Sequence, residues 1–287
     1  MDKTLTHQLT PQQLADLNTL LLACQGTDGN TIAVYKPLLT QPRLTPCTLL
    51  YDHTQLIGFV TPFFFEEDTS EIALMVAPSH RQQGLGTSLL KAIQPLLIKK
   101  GITTCVFSTP HDRYTDKLTV KGLSYQHSEY RMRRVDPKLL PIKHKEIHLR
   151  LATEADLSLV CAMDDACFPQ HENTLMSRFY GLIHDPFHTL WIAERHGTPI
   201  GKAHVHWEEE AVRLTDLAIL PAFQKQGFGR AMVAQCINDC IRHHRTTVSL
   251  DVEATNQHAL TLYTHLGFVM DNAYDFWSIP STTLLAV

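Results

Sequence analysis

The chain repeats itself once, at a spacing of half its length. Pro78, Arg81, Gly84 and Gly86 recur as Pro221, Gln224, Gly227 and Gly229, each 143 residues on, and Ile57-Gly58 and Thr103-Thr104 recur as Ile200-Gly201 and Thr246-Thr247 at the same offset. Stacking repeats have periods of about 20 to 50 residues, so a period of 143 in 287 residues is a whole domain copied. The pattern predicts two domains of mixed α/β type, over residues 1–138 and 148–287, with a linker over 139–147. That linker is read from residues 132–147, where two prolines and six basic residues lack periodicity and suggest a solvated connector.

Each copy carries the same order of signals. Residues 8–24 have helical apolar spacing behind Thr10-Pro11, a cap and first turn, and residues from Leu151 match them. Two strands joined by a turn follow from Thr48 and from Thr189, then a third strand, a glycine-containing loop that opens a helix, a fourth strand and closing strands. Pro62 should interrupt the ladder of the most apolar of these strands.

Composition narrows the function classes. A net charge of −4 leaves no electrostatic footprint for nucleic acid. No apolar run reaches the 18 or so residues of a membrane span and the N-terminus lacks a signal-peptide core, so the expected location is cytoplasmic. Seven cysteines, an odd number without a CxxC pair, predict reduced thiols. Of the 17 histidines, His204 and His206 share a strand face, but no third ligand stands at metal-site spacing, and no metal is expected.

The chemistry lies in two strings of the second half. Gln224, Lys225, Gln226, Gly227, Phe228, Gly229 and Arg230 follow a strand and open a helix. The two glycines let backbone N–H groups approach a bound anion, and the helix N-terminus adds about half a positive charge, which suits a pyrophosphate. The second string runs NQHALTLYTHLGF from Asn256: Ala259, Leu262 and Leu266 share a helical face, and Gly267 ends the helix.

Together these strings resemble the acetyl-coenzyme A signature of the GNAT family of N-acetyltransferases: Gln/Arg-x-x-Gly-x-Gly/Ala after a splayed strand, then Asn-x-x-Ala-x-x-Leu-Tyr-x-x-x-Gly-Phe. The resemblance covers nearly the whole chain and is strongest over 189–270. The tandem order, a sound copy behind an eroded one, is similar to that of mycothiol synthases. The family implies, for each copy, a twisted, mostly antiparallel sheet flanked by helices. It gives the coenzyme pyrophosphate to the Gln224–Arg230 loop, and the pantetheine arm to the main chain of Leu217, Ala218 and Ile219. Asn256 would anchor the arm or its loop. It makes Tyr263 the general acid that protonates the departing thiolate, a role suited to a phenol with an ordinary pKa near 10. Asp251 is the candidate base, by likeness to ribosomal-protein alanine acetyltransferases, with Asp216 and Glu208, Glu209 and Glu210 as rivals. His204 and His206 would then form a polar strand face near the acceptor cleft.

The first copy keeps a second candidate coenzyme site at Val76, Arg81, Gln82, Gln83, Gly84, Leu85, Gly86 and Thr87. Its second string has failed. Matching Gly122 to Gly267 changes the offset to 145, setting Leu118 opposite Tyr263 and His111 opposite Asn256, while Ser108 falls opposite Asp251. Tyr114 or Tyr125 would have to replace the acid. The expected activity is acetyl transfer from acetyl-CoA to a primary amine on a small molecule or peptide, by direct attack in a ternary complex in the C-terminal domain of a monomer or homodimer. Against it stand a non-catalytic acyl-CoA sensor, an interaction scaffold, and two active domains. Acceptor choice is expected in residues 168–186 and 274–277.

Overall fold

Thr10 begins the first helix with a capping box: its hydroxyl accepts from the Gln13 N–H, and the Gln13 side chain accepts from the Thr10 N–H. In the computed structural model, which describes residues 1–42, 46–168, 176–208 and 211–286, this helix follows an edge strand. The first half runs β1 (Asp2–Thr6), α1 (Pro11–Asp28), α2 (Lys36–Leu39), β2 (Cys47–Asp52), β3 (Gln55–Phe63), β4 (Thr69–Val76), α3 (Leu85–Lys99), β5 (Thr104–Pro110), α4 (Thr115–Val120) and β6 (Ser124–Val135). The second runs β7 (Ile147–Leu151), α5 (Leu157–Cys167), α6 (Met176–His184), β8 (His188–Arg195), β9 (Thr198–Trp207), β10 (Val212–Ile219), α7 (Phe228–Arg242), β11 (Thr247–Glu253), α8 (Gln257–His265) and β12 (Val269–Pro280).

The mixed α/β class is as expected, but the compact units are not the sequence halves. One unit holds residues 1–130, 253–255 and 272 to the C-terminus; the other holds 131–252 and 256–271. The reason is β12. Tyr274 to Pro280 pair antiparallel with Pro110 to Thr104 on β5, and Trp277, Ile279 and Leu284 are buried in the first unit's core with Leu89, Ile93 and Cys105. The first unit holds β1-β2-β3-β4-β5-β12 in that order, with β12 from Asn272 and β6 up to Tyr130, and the second holds β11-β10-β9-β8-β7, with β6 from Arg131. Residues 274–277, expected to shape acceptor choice in the C-terminal domain, belong to the first unit, where Tyr274, Phe276 and Trp277 are buried.

Inside each unit the duplication holds bond by bond. Ala77 N–H reaches Ile57 O at 2.8 Å, and Leu220 N–H reaches Ile200 O at 2.8 Å. The Cys24 thiol faces Val76 O at 3.7 Å and the Cys167 thiol faces Ile219 O at 3.5 Å, a repeat that the glycine and proline pattern did not reveal. The later offset of 145 is also real: Leu123 N–H bonds Leu118 O, and Phe268 N–H bonds Tyr263 O, both at 3.0 Å.

Two expectations change. Residues 139–147 are not a solvated connector but part of the second unit, since Asn238 on α7 accepts from Leu140 N–H at 2.7 Å and donates to Leu140 O at 2.9 Å. Arg134, 2% exposed, donates to the carbonyls of Leu266, Asp136 and Lys138. Pro62 does not break its strand. It pairs with Ile72 of β4, beyond the Thr48–Val60 pair where the β2–β3 register ends, so its missing N–H is tolerated at that margin. All seven cysteines are free thiols, and Cys236 and Cys240 pack inside α7's buried face. No described helix is long and apolar enough to cross a membrane.

Candidate active site

The centre of the second unit is a break in β10. Its parallel register with β11 covers only Val212–Val248 and Arg213–Ser249, after which the strands part. On the other side, Thr215 pairs with His204 but Ala218 pairs with Lys202, so β10 spends one residue more than β9 and forms a β-bulge. Asp216 sits in it at φ 48°. The bulge drives the Ala218 carbonyl to 2.3 Å from where a Cβ on Gly201 would lie, so only glycine fits opposite it. A bulge re-aims main-chain groups and leaves the extra residue outside the ladder. The main chain of Leu217, Ala218 and Ile219 thus borders the gap between the diverging strands.

Past Ile219 the chain makes one 3₁₀ turn and enters the loop. Lys225 at φ 57° and Gly227 at φ 85° turn it, and no side chain caps the first turn of α7. The loop from Gln224 to Gly227 is exposed, so the uncapped first turn of α7 begins at the surface, as an anion site requires. Gln224 donates from Nε2 to Ile219 O at 2.8 Å, tying loop to strand. His144 closes the other side: its Nε2 lies 2.7 Å from the place of a Gly227 Cβ, and its ring packs edge-on to Phe228. Arg230 is exposed.

Tyr263 projects from α8, 8% exposed and edge-on to Phe268 at 5.9 Å. Burial pushes its phenol up to about 12, so it is a proton donor throughout the neutral range. No hydrogen-bond partner for its hydroxyl is found among the described residues. Asn256 does local work: its Oδ1 accepts from Ala259 N–H at 3.1 Å and caps α8.

Asp251 is 11% exposed and held by guanidinium groups on both sides, Arg131 Nε at 3.0 Å and Arg213 Nη2. The rival Asp216 bonds Arg178 at 2.7 Å. Burial alone would raise its carboxyl, but the His204 ring beside it and the charges of Arg178 and Lys202 outweigh it and hold the group well below the usual carboxylate range. Of the acidic run, Glu208 lies 3.8 Å from His206, while Glu209 and Glu210 lie outside the described residues, as do 169–175 of the expected acceptor segment. Sequence reasoning missed the fully buried Lys202–Asp164 ion pair beneath this strand face, flanked by the Phe179 ring at 4.8 Å. A lysine within the apolar run of β9 and an aspartate on the apolar face of α5 were the available signal.

The first unit repeats the loop and not the bulge. Gln82 at φ 62° and Gly84 at φ 75° copy the turn, α3 lacks a side-chain cap, and nothing lies within 4 Å of a Cβ on Gly84 or Gly86. Val76 and its neighbours on β4, however, pair with β3 without a shift. Arg81 Nε bonds Val76 O at 3.1 Å, as Gln224 does in the other copy, and its Nη atoms reach Asp28 at 2.7 and 2.9 Å. Tyr114, where the second copy has Ala259, is committed to Asp28 at 2.8 Å and Arg81 at 2.9 Å. Tyr125 bonds Ser128, which joins His111 and the Asp112 N–H on the buried Asp275 carboxylate. Gln83, Leu85 and Thr87 line the turn, and Leu118 stands in the acid's place.

The profile of the Acetyltransferase (GNAT) family matches residues 14–116 and again 157–268. The chain belongs to the GNAT family. Both matches fall on the strand, loop and helix units just described, so both copies are GNAT folds. The bS18-alanine N-acetyltransferase of Escherichia coli K12 is 38% identical over 55 residues, which is 19% of this chain and 37% of that enzyme. The chain thus matches about a third of that relative's length. Among solved structures, a GCN5-related N-acetyltransferase from Sphaerobacter thermophilus superposes at TM-score 0.77 and 15% identity, over 97% of this chain and 96% of that one. A tandem GNAT protein from the clavulanic acid biosynthesis pathway follows at TM-score 0.65 and 13% identity, over 98% and 99%. At such identities the likeness is one of fold.

Proposed function

We propose that this tandem GNAT protein transfers an acetyl group from acetyl-CoA to a primary amine, by direct attack in a ternary complex, at the second unit. The observation that carries the assignment is the β10 bulge with its glycine opposite. The second unit has this bulge as well as the intact loop and Tyr263, and β4 in the first unit has no counterpart to it.

In this reading the uncapped N–H groups from Gly227 to Arg230 hold the pyrophosphate, and the main chain at Leu217, Ala218 and Ile219 holds the pantetheine arm. A main-chain N–H at the bulge facing the developing oxyanion contributes about 3 to 4 kcal/mol, as single oxyanion donors do. The neutral amine nitrogen adds to the thioester carbon, the carbon–sulfur bond breaks, Tyr263 gives its proton to the leaving thiolate, and the proton lost by the adduct's nitrogen restores the phenol. Asp251 serves as the anchor that orders Arg131 and Arg213 rather than as the base, because its oxygens are engaged by both guanidiniums. The first unit keeps a loop able to hold coenzyme without turnover, since Leu118 offers no proton. The peptide α-amine is the acceptor class that the relative suggests, and small amines share the same chemistry.

Thiol release from acetyl-CoA over a panel of an alanine-initiated hexapeptide, n-butylamine, spermidine and glucosamine tests the proposal. Turnover with at least one amine, lost together with coenzyme binding in Gly227→Glu, is expected. Coenzyme binding with no thiol release from any amine would favour the non-catalytic sensor instead.

A further inference from the structure

Three histidines absorbed by no role above line the face of β8 and β9 beside the bulge. His204, 6% exposed, presents Nδ1 to the Thr215 hydroxyl at 2.8 Å and to Asp216 Oδ2 at 3.4 Å. Its Nε2 meets His188 Nδ1 at 2.7 Å. The outer nitrogen of His188 points toward Asp185 at 3.7 Å, where the side chains are 18% and 41% exposed. His206 stacks on His188 with ring centroids 4.3 Å apart. The contacts form an unbroken path from the strand break to the surface.

We infer that Thr215, His204 and His188 form a proton relay that takes the proton released by the acceptor amine at the bulge and delivers it to solvent beside Asp185. This rests on the acetyl-transfer reading above. Before attack, the ammonium gives one proton to the Thr215 oxygen while the Thr215 proton moves to His204 Nδ1; the neutral amine then adds to the thioester carbon, and the second nitrogen proton of the adduct replaces the one that Tyr263 gives to the thiolate. His204 Nε2–H then moves to His188 Nδ1, and His188 Nε2–H leaves to water. One proton enters, one leaves, and a reverse shift of tautomers resets the two rings. A single imidazole bonded on both nitrogens can carry a proton in this way because one nitrogen accepts as the other donates.

The surroundings favour transmission over storage. Facing the pair are Asp216 and Thr215 on β10, Arg213 beyond them, Lys202 and His206 on β9, Arg178 on α6 and Asp185 before β8. Burial, followed by the charges of His206 and His204, lowers His188 to about 4, so the outlet ring rests neutral at pH 7 and does not hold the proton it receives. His206 is lowered as well, first by burial. Asp216 stays ionised and faces the imidazolium that forms transiently on His204.

The test compares wild type, Thr215→Val and His188→Gly by thiol release, with each panel amine that the wild type acetylates, from pH 6 to 10. An α-amine of pKa about 8 and an alkylamine near 10.4 differ in how much proton removal they need. Both variants should lose about 10- to 100-fold in kcat/KM at pH 7, at the lower end for general base catalysis. They should recover as pH approaches the amine's own pKa, with acetyl-CoA affinity unchanged. Added imidazole should restore His188→Gly. Unchanged rates and pH profiles, or a pH-independent loss that imidazole does not relieve, would overturn the relay while leaving acetyl transfer standing. Absence of any turnover in the wild type would instead overturn the underlying reading.

Discussion

At the scale of single residues, the site turns on close contacts that a composition count cannot reveal. Gly201 and Gly58 are repeat partners, yet a Cβ on Gly201 meets the Ala218 carbonyl at 2.3 Å, and one on Gly58 meets the Leu89 Cδ1 at 3.0 Å. Backbone cannot yield as a leucine rotamer can, so Gly201→Ala should distort the bulge. It should destabilise the second unit by about 1 to 3 kcal/mol, the usual cost of overpacking, and lower kcat. Gly58→Ala should do less, which paired thermal melts and turnover assays would check. Asp28 provides a pH signature. Burial raises its carboxyl, but the bonds from Arg81 and Tyr114 and the nearby charges of Arg81 and Arg113 outweigh this and hold it below the ordinary value. A depressed carboxyl contributes stability that is present above its unfolded pKa of about 3.9 and fades as pH falls through the folded value. Asp28→Asn should therefore destabilise the first unit at pH 7 by about 3 kcal/mol, and the difference from wild type should shrink in acid, by denaturant titration at pH 7 and pH 3.

At the scale of elements, the two loops are near copies placed on different strands. Gly227 has φ 85° and His144 against its open side; Gly84 has φ 75° and open space. Gly227→Ala should strain the turn and push His144 away, weakening acetyl-CoA binding at least tenfold. Gly84→Ala should cost only the roughly 1 kcal/mol of a left-handed non-glycine residue and leave turnover unchanged. Calorimetric titration of both variants reads this directly. The loop, the helix after it and Tyr263 were legible in the sequence because glycine spacing and helical periodicity are local signals. The bulge was not, since it is a mismatch between β10 and β9 that neither strand encodes alone. The same holds for Asp251: its alternation on β11 is visible in the sequence, but the two arginines that engage it come from β6 and β10.

At the scale of the whole molecule, the duplication set the domain count and concealed the strand exchange. Either half can accept an alternating closing strand, so nothing in residues 272–280 reveals that they complete the first unit, or that β6 passes from the first unit to the second after Tyr130. Fragments cut at residue 138 should therefore fail. The piece 1–138 lacks the strand that buries Trp277 and Ile279, and should show no cooperative melt by circular dichroism. Joining 1–130 through a flexible linker to 272–287 should restore one.

Transfer by the second unit alone, with the Tyr263 phenol as acid, makes a single hydroxyl decisive. Steady-state thiol release by Tyr263→Phe, measured beside calorimetric acetyl-CoA binding, tests it most directly. In that variant kcat should fall by about 10² to 10⁴ with coenzyme affinity unchanged. A Tyr263→Phe protein that turns over at the wild-type rate from pH 6 to pH 10 would contradict it.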